Sequence, residues 1–471
     1  MWTKADGTLV HYDYRADNLL EAIDYDYPSG NDVSFDYDDE GRTTKMTDGT
    51  GEWIYTYDYD VSRGYTYKDA LLAVTQPTPA GDKTLRYEYD EVGNRTKMLS
   101  PSGVTHSYSY DGNERLTQLS HPTYGTHIFQ YDWLGNRTGL NYANGAYAEY
   151  TYNARNWLWK LYNRKSDNSV VTSFIYGFDH VGNRARVDEN DGAANTYTAY
   201  GYDNVYQLTN QTRRTSGGSI IWQYDYLYDE VGNRTQRTGT GGTVNYTYDA
   251  NNKMLTEGSN SYGYDNNGNA TSKYVPGTGT TSYSYDYENR MTGITYPNAT
   301  TAAFQYNGDG LRVRVTEPGV ADYFIYDGVR PYARYENYNT LKAIYVAEGG
   351  SYYSPIVTLR TNNANWTYLR DGTESVRKIL NDSQTTTDAY YYEAFGNITS
   401  QAGTTVNPFR YIGALGYYRD QTSGLLDVGA RYYSPQVGRF WTQDPIGAGV
   451  NLYPYVSNNP VNAADPTGEH V

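Results

Sequence analysis

Three observations predict an all-β chain built from stacked hairpins. First, a motif of the form Tyr-x-Tyr-Asp-x-x-Gly-x-Arg recurs, with clear copies at Phe35–Arg42, Tyr87–Arg95, Tyr131–Arg137, Phe178–Arg184, Tyr226–Arg234 and Tyr262–Asn269. Second, Tyr replaces the usual oily side chains: 58 Tyr against 9 Phe give a 16% aromatic fraction in a chain only 38% apolar. Tyr packs through its ring, bonds through its hydroxyl and favours strands. Third, Gly, Asn, Asp and Thr crowd the sequence, which is turn and strand chemistry. Helical periodicity is absent almost everywhere.

Each repeat reads as one hairpin. Tyr-x-Tyr places two rings on one face of a strand. The Asp carboxylate bonds backbone N–H groups two residues on and starts a turn. The Gly supplies positive φ without steric cost, and the Arg opens the return strand. The Tyr before each turn falls at Tyr89, Tyr110, Tyr131 and Tyr152, then at Tyr264, Tyr285 and Tyr306, a period of 21 with longer units between. One hairpin cannot bury its aromatic face alone, so the units must stack into a continuous sheet, and a long sheet twists and curls.

No Gly/Ser-rich or Pro-rich linker separates domains. Composition shifts gently near residue 335, giving repeats over 1–335 and a distinct closing segment over 336–471. The net charge of −16 disfavours a nucleic-acid-binding surface and docking on anionic lipid. Without Cys, disulfides and thiolate metal sites are excluded. The six His (11, 106, 121, 127, 180 and 470) form no zinc-ligand spacing and are expected as surface or sheet residues. Asp36–Gly41 echoes a calcium loop, but its twelfth position is Thr47, so no metal and no cofactor are expected. No transmembrane run exists. The opening residues lack the pattern of a signal peptide and read like the middle of a repeat, which suggests a fragment, or export by another route.

The residues with candidate chemistry lie at the C-terminal end. Two Asp-Pro-x-Gly steps stand 21 residues apart, at Asp444–Gly447 and Asp465–Gly468. As local chemistry each is simply a good turn: Asp bonds backbone, Pro fixes φ, Gly takes positive φ. They sit within a longer signature: Tyr392–Gly396, Thr422–Leu426, Ala430–Tyr433, Gly438–Phe440, Asp444–Gly447, Asn451–Tyr453, Asn458–Pro460 and Asp465–Gly468.

On these residues the chain resembles the Rhs family: YD repeats followed by an Rhs-repeat-associated core. Relatives include bacterial polymorphic toxins, the C component of insecticidal toxin complexes, wall-associated proteins and animal teneurins. The resemblance implies a spiral ribbon of stacked β-hairpins forming a hollow shell, closed by the core as an inward plug. It also implies single-turnover self-cleavage just after an Asp-Pro-x-Gly-Leu sequence, of aspartyl type, which puts Asp444 and Asp465 forward as the catalytic pair and Gly468 and Glu469 at the cleavage site. Two carboxylates sharing a site do not both ionise cheaply, so one keeps its proton. One then serves as base on a water while the other polarises the scissile carbonyl. Arg439, five residues before Asp444, is a candidate to stabilise a carboxylate or the oxyanion. Glu469 stands where the family has Leu, a departure at the cut itself.

The implied function is a shell that sequesters a C-terminal effector or toxin, secreted or held at a bacterial cell surface. The alternative is a non-enzymatic YD-repeat surface or adhesion protein whose Tyr stripes stack on cell-surface glycan. With about 40 strands of about seven residues, the ribbon covers roughly 4,500 Å² and encloses on the order of 10⁴ Å³. That holds only a small or unfolded cargo, so a full shell calls for more repeats or a shell-completing partner protein.

Overall fold

The computed structural model describes residues 2–4, 7–25, 32–57, 70–123, 125–337, 339–351, 353–361, 364–447 and 449–469. His470 lies outside them. The described residues carry 41 strands, most of five to seven residues, and two single-turn 3₁₀ segments, Gly413–Leu415 and Val456–Asn458. No helix among them is long and apolar enough to cross a membrane. The chain forms two compact units, Met1–Phe129 with Ala303–Ile344 and Gln130–Ala302 with Tyr345–Val471.

In both units consecutive strands pair antiparallel through the repeat turn. Lys83–Tyr89 and Arg95–Leu99 show how it works. The Asp90 carboxylate accepts from the N–H groups of Val92 at 3.1 Å and Asn94 at 2.8 Å. The backbone closes the turn with Asp90 N–H on the Asn94 carbonyl at 2.9 Å. Gly93 takes φ 94°. The register slips by one residue between Glu88 and Tyr89, a bulge repeated at Tyr110, Tyr152, Tyr228 and Tyr264. Such bulges add local twist. Where the repeat degenerates, Asn156, Asn252, Asn289 and Glu114 take the left-handed position instead of Gly; Asn tolerates it best among them.

The Tyr-x-Tyr pair divides two tasks. The first ring is buried, as at Tyr87, Tyr108, Tyr226 and Tyr246. The second Tyr donates its hydroxyl to a main-chain carbonyl of the preceding hairpin: Tyr89 to Leu71 at 3.0 Å, Tyr110 to Arg95 at 3.0 Å, Tyr228 to Leu208 at 2.8 Å and Tyr248 to Arg234 at 2.8 Å. Phe would pack but lose that bond. The repeat Arg does more than open the return strand. Arg95 pairs with Asp327 at 2.7 Å and lies over the rings of Tyr87 and Tyr108, while Arg234 lies over Tyr226 and Phe395.

Residues 36–41 form an ordinary repeat turn, with Asp38 bonded to the N–H of Arg42 and paired with its guanidinium at 2.6 Å. Regular hairpin strands continue to Ile398–Ala402. Four very short strands follow, Tyr418–Arg419, Leu426–Asp427, Tyr432–Ser434 and Arg439–Phe440, forming a separate small sheet. Its core gathers Tyr411, Ile412, Tyr417, Leu426, Val428, Tyr433, Phe440, Tyr455 and Val456. Repeat hairpins of the same unit hold this segment: Asn451 Nδ2 donates to Asn233 Oδ1 at 2.7 Å, Asn458 Nδ2 to the Gly232 carbonyl at 2.8 Å, and the Tyr453 hydroxyl to the Gly268 carbonyl at 2.9 Å.

Candidate functional site

Both Asp-Pro-x-Gly steps fold as turns. Asp444 Oδ1 accepts from the Ile446 N–H at 2.9 Å, and the Gly447 N–H closes on the Asp444 carbonyl at 3.1 Å. Asp465 Oδ1 accepts from the N–H groups of Thr467 at 3.3 Å, Gly468 at 2.9 Å and Glu469 at 3.3 Å, and from the Thr467 hydroxyl at 3.2 Å. One oxygen of each carboxylate therefore does turn work.

The other oxygens meet. Asp444 Oδ2 stands 3.6 Å and Asp465 Oδ2 3.4 Å from the same atom, Nη2 of Arg431. All three side chains are essentially without solvent contact, at 0%, 0% and 1% exposure. Arg431 is fixed by three further contacts: its Nε donates to the Gly468 carbonyl at 2.5 Å, its Nη1 to the Leu452 carbonyl at 3.2 Å, and its guanidinium carbon lies 3.6 Å from the centre of the Phe440 ring. Burial lowers the pKa of the guanidinium, and the two carboxylates act against that. Asp444 Oδ2 has no hydrogen-bond partner. A buried carboxylate oxygen in that state is costly, and the 3.6 Å pairing with Arg431 offsets part of that cost.

The main chain around the trio is clamped. The Tyr417 hydroxyl donates to the Asp465 carbonyl at 2.6 Å, receives the Asp465 N–H at 3.1 Å, and lies 2.8 Å from the Tyr455 hydroxyl. The Ala430 N–H donates to the Thr467 carbonyl at 2.9 Å. Gly468, at φ 76°, sits so close to the 428–431 backbone that a Cβ would meet the Val428 carbonyl oxygen at 2.2 Å.

Asp444, Asp465, Gly468 and Glu469 are thus brought together. Arg439 is placed elsewhere: it donates to Asn233 Oδ1 at 2.8 Å and to the Asn252 carbonyl at 2.6 Å, between the rings of Tyr248 and Tyr453. It is a strut joining the terminal segment to the repeats, and the guanidinium between the carboxylates belongs to Arg431. Arg431 lies inside the Ala430–Tyr433 stretch of the signature, but thirteen residues before Asp444 its spacing gave no reason to choose it.

These features define a class: an all-β ribbon of YD hairpins whose irregular C-terminal segment is seated on its own repeats. The chain belongs to the Teneurin YD-shell family, which matches residues 162–461, within the Rhs/YD-repeat proteins. It is 28% identical over 247 residues to the tRNA3(Ser)-specific nuclease WapA of Bacillus spizizenii, covering 50% of this chain and 10% of that protein. It is 49% identical over 55 residues to toxin protein Tse5 of Pseudomonas aeruginosa, covering 11% of this chain and 4% of Tse5. Among solved structures, TcdB2-TccC3-Cdc42 matches with a TM-score of 0.81 at 18% identity, over 98% of this chain and 26% of that one. The fold is therefore that of the TcdB2-TccC3 structures, and the chain spans only a small part of each of these relatives.

Proposed function

We propose that this chain is part of an Rhs-type encapsulating shell that sequesters a C-terminal effector or toxin, with residues 1–335 supplying repeats and 336–471 the core, and that the core cuts its own chain once. Toxin relatives such as Tse5 support the toxin association and a secreted or cell-surface setting in a bacterium. Coverage of about a quarter of the TcdB2-TccC3 chain supports a wall completed by further repeats or a partner.

The observation that carries self-cleavage is the convergence of Asp444 and Asp465 on Arg431, whose Nε holds the Gly468 carbonyl. Gly468–Glu469 is a peptide with both polar atoms held by the trio, its carbonyl by Arg431 Nε and its N–H by Asp465 Oδ1. In the proposed step Asp444 takes a proton from water as the water oxygen adds to the Gly468 carbonyl carbon. Arg431 meets the charge developing on the carbonyl oxygen. Asp444 then passes that proton to the Glu469 nitrogen as the C–N bond breaks, while Asp465 Oδ1 holds the Glu469 N–H in place. Arg431 takes the stabilising role first assigned to Arg439.

A second reading rests on Asp465 Oδ1, whose four acceptances suit a clasp that seats the C-terminus without chemistry, in a non-enzymatic YD-repeat surface protein. Intact mass of the chain with a folded reporter fused after Val471 separates the two. Two fragments meeting at Gly468 and Glu469 are expected. A folded, uncut fusion leaves only the clasp.

A further inference from the structure

Three of the six histidines lie side by side in the unit formed by Met1–Phe129 and Ala303–Ile344. They sit on the adjacent strands Thr105–Tyr110, Leu116–His121 and Gly125–Tyr131. The register sets Tyr108 opposite Leu119 and Leu119 opposite His127. Side chains alternate faces along a strand, so His106, His121 and His127 all share the face of Leu119. All three are buried, at 2%, 5% and 2% exposure. The rings of His106 and His121 are edge to face with centroids 4.6 Å apart.

The contacts of His106 and His121 suit the neutral imidazole. His106 Nε2 is 3.2 Å from the Tyr332 hydroxyl. His121 Nδ1 accepts the Thr123 N–H at 2.9 Å, a bond available only while that nitrogen carries no proton. On the neighbouring strand Arg95, held to Asp327 at 2.7 Å and to the Tyr108 hydroxyl at 3.1 Å, adds a fixed positive charge facing the same face. Asp327 is committed to that guanidinium and to the Tyr87 hydroxyl. A proton arriving on the cluster would thus be buried beside a second imidazole and a guanidinium.

We propose that this histidine cluster is an acid-sensitive latch: the strands spanning 105–131 hold together at neutral pH and loosen as the medium acidifies toward pH 5. The proposal is independent of self-cleavage, because no residue of the Arg431 site takes part.

The direction follows from linkage. Burial, then His121 and Arg95, push the pKa of His106 from 6.5 down to about 3. A depressed pKa contributes stability that is fully present above 6.5 and is lost as pH falls through the interval to 3. Well inside that window each unit shifts the open-to-closed ratio about tenfold, so His106 alone gives about 30-fold between pH 7.5 and pH 5.

The test is hydrogen exchange on the full chain at pH 7.5 and pH 5.0, corrected for intrinsic exchange rates. Loss of protection in 105–131 by at least tenfold more than in the hairpins 208–239 is expected, and His106→Gln is expected to flatten that difference. The His106 ring resonances of the unsubstituted chain give a second readout that does not depend on the variant folding. They are expected to stay in the neutral position down to pH 5 in the folded form. Equal loss across both sets of strands, an acid response unchanged in a folded His106→Gln chain, or a folded His106 titrating near 6.5 would each overturn the latch.

Discussion

The repeat turns and the two terminal turns use aspartate alike through one oxygen and differently through the other. In the repeats, Asp90 Oδ1 organises the turn while Oδ2 bonds Asn94 within the same turn, and Asp111 and Asp286 turn theirs on Arg115 and Arg290 four residues on. These carboxylates stay partly exposed. At Asp444 and Asp465 the first oxygen does the same work, but the second points inward to a shared, buried Arg431. What separates a structural Asp-Pro-x-Gly turn from a candidate reactive one is therefore the destination of Oδ2, which the turn motif does not encode.

The largest effect is expected at Arg431. Arg431→Met leaves two carboxylates buried without their cation, and breaking a buried pair in this way costs about 3–5 kcal/mol. Arg115→Met in a repeat turn faces water and is expected to move the denaturation midpoint far less; equal shifts in urea melts would erase the contrast. Next comes Gly468→Ala, which combines positive φ with a backbone clash and is expected to cost about 1–3 kcal/mol. It should appear as faster proteolysis of the C-terminal residues than Gly103→Ala produces, because Gly103 has open space around its Cβ position.

Tyr248→Phe removes one hydroxyl from the main-chain stitch between hairpins. A loss of about 1 kcal/mol is expected in equilibrium unfolding, whereas a neutral result would make the Tyr preference a matter of ring packing alone. The smallest contrast concerns acid and salt. Burial works to raise the pKa of Glu189, but the Arg377 and Arg213 guanidiniums outweigh it and hold it below 4.5. That stability is present above pH 4.5 and declines as pH falls below it. Asp90 shifts in the same direction against burial, through Asn94 and backbone N–H groups, but is only partly buried. Titrations at low and high ionic strength should leave the Glu189 component nearly unchanged, because surface interactions are screened and buried ones are not.

The hairpin fold was legible because each local device repeats: Tyr-x-Tyr, Asp and Gly at fixed offsets state strand, turn and register within about ten residues. Asp444, Asp465, Gly468 and Glu469 were legible because a resemblance marked them. Arg431 was not, since its partners are brought to it by short irregular strands and turns whose path no periodicity records, and Arg439 drew notice only by nearness in sequence to Asp444. The buried role of the repeat arginines also escaped, because Arg95 meets Asp327 across 232 residues of chain. The histidine cluster was hidden similarly: spacing along one strand says nothing about ligands or neighbours contributed by three.

Asp444→Asn in the reporter fusion is the most direct test. Asn keeps an acceptor for the Ile446 N–H and so preserves the turn, but it removes the second carboxylate oxygen at Arg431. A folded Asp444→Asn fusion of full intact mass, beside a parent that separates at Gly468 and Glu469, is the predicted result. A folded Asp444→Asn fusion that is cut at the parent's rate would contradict it.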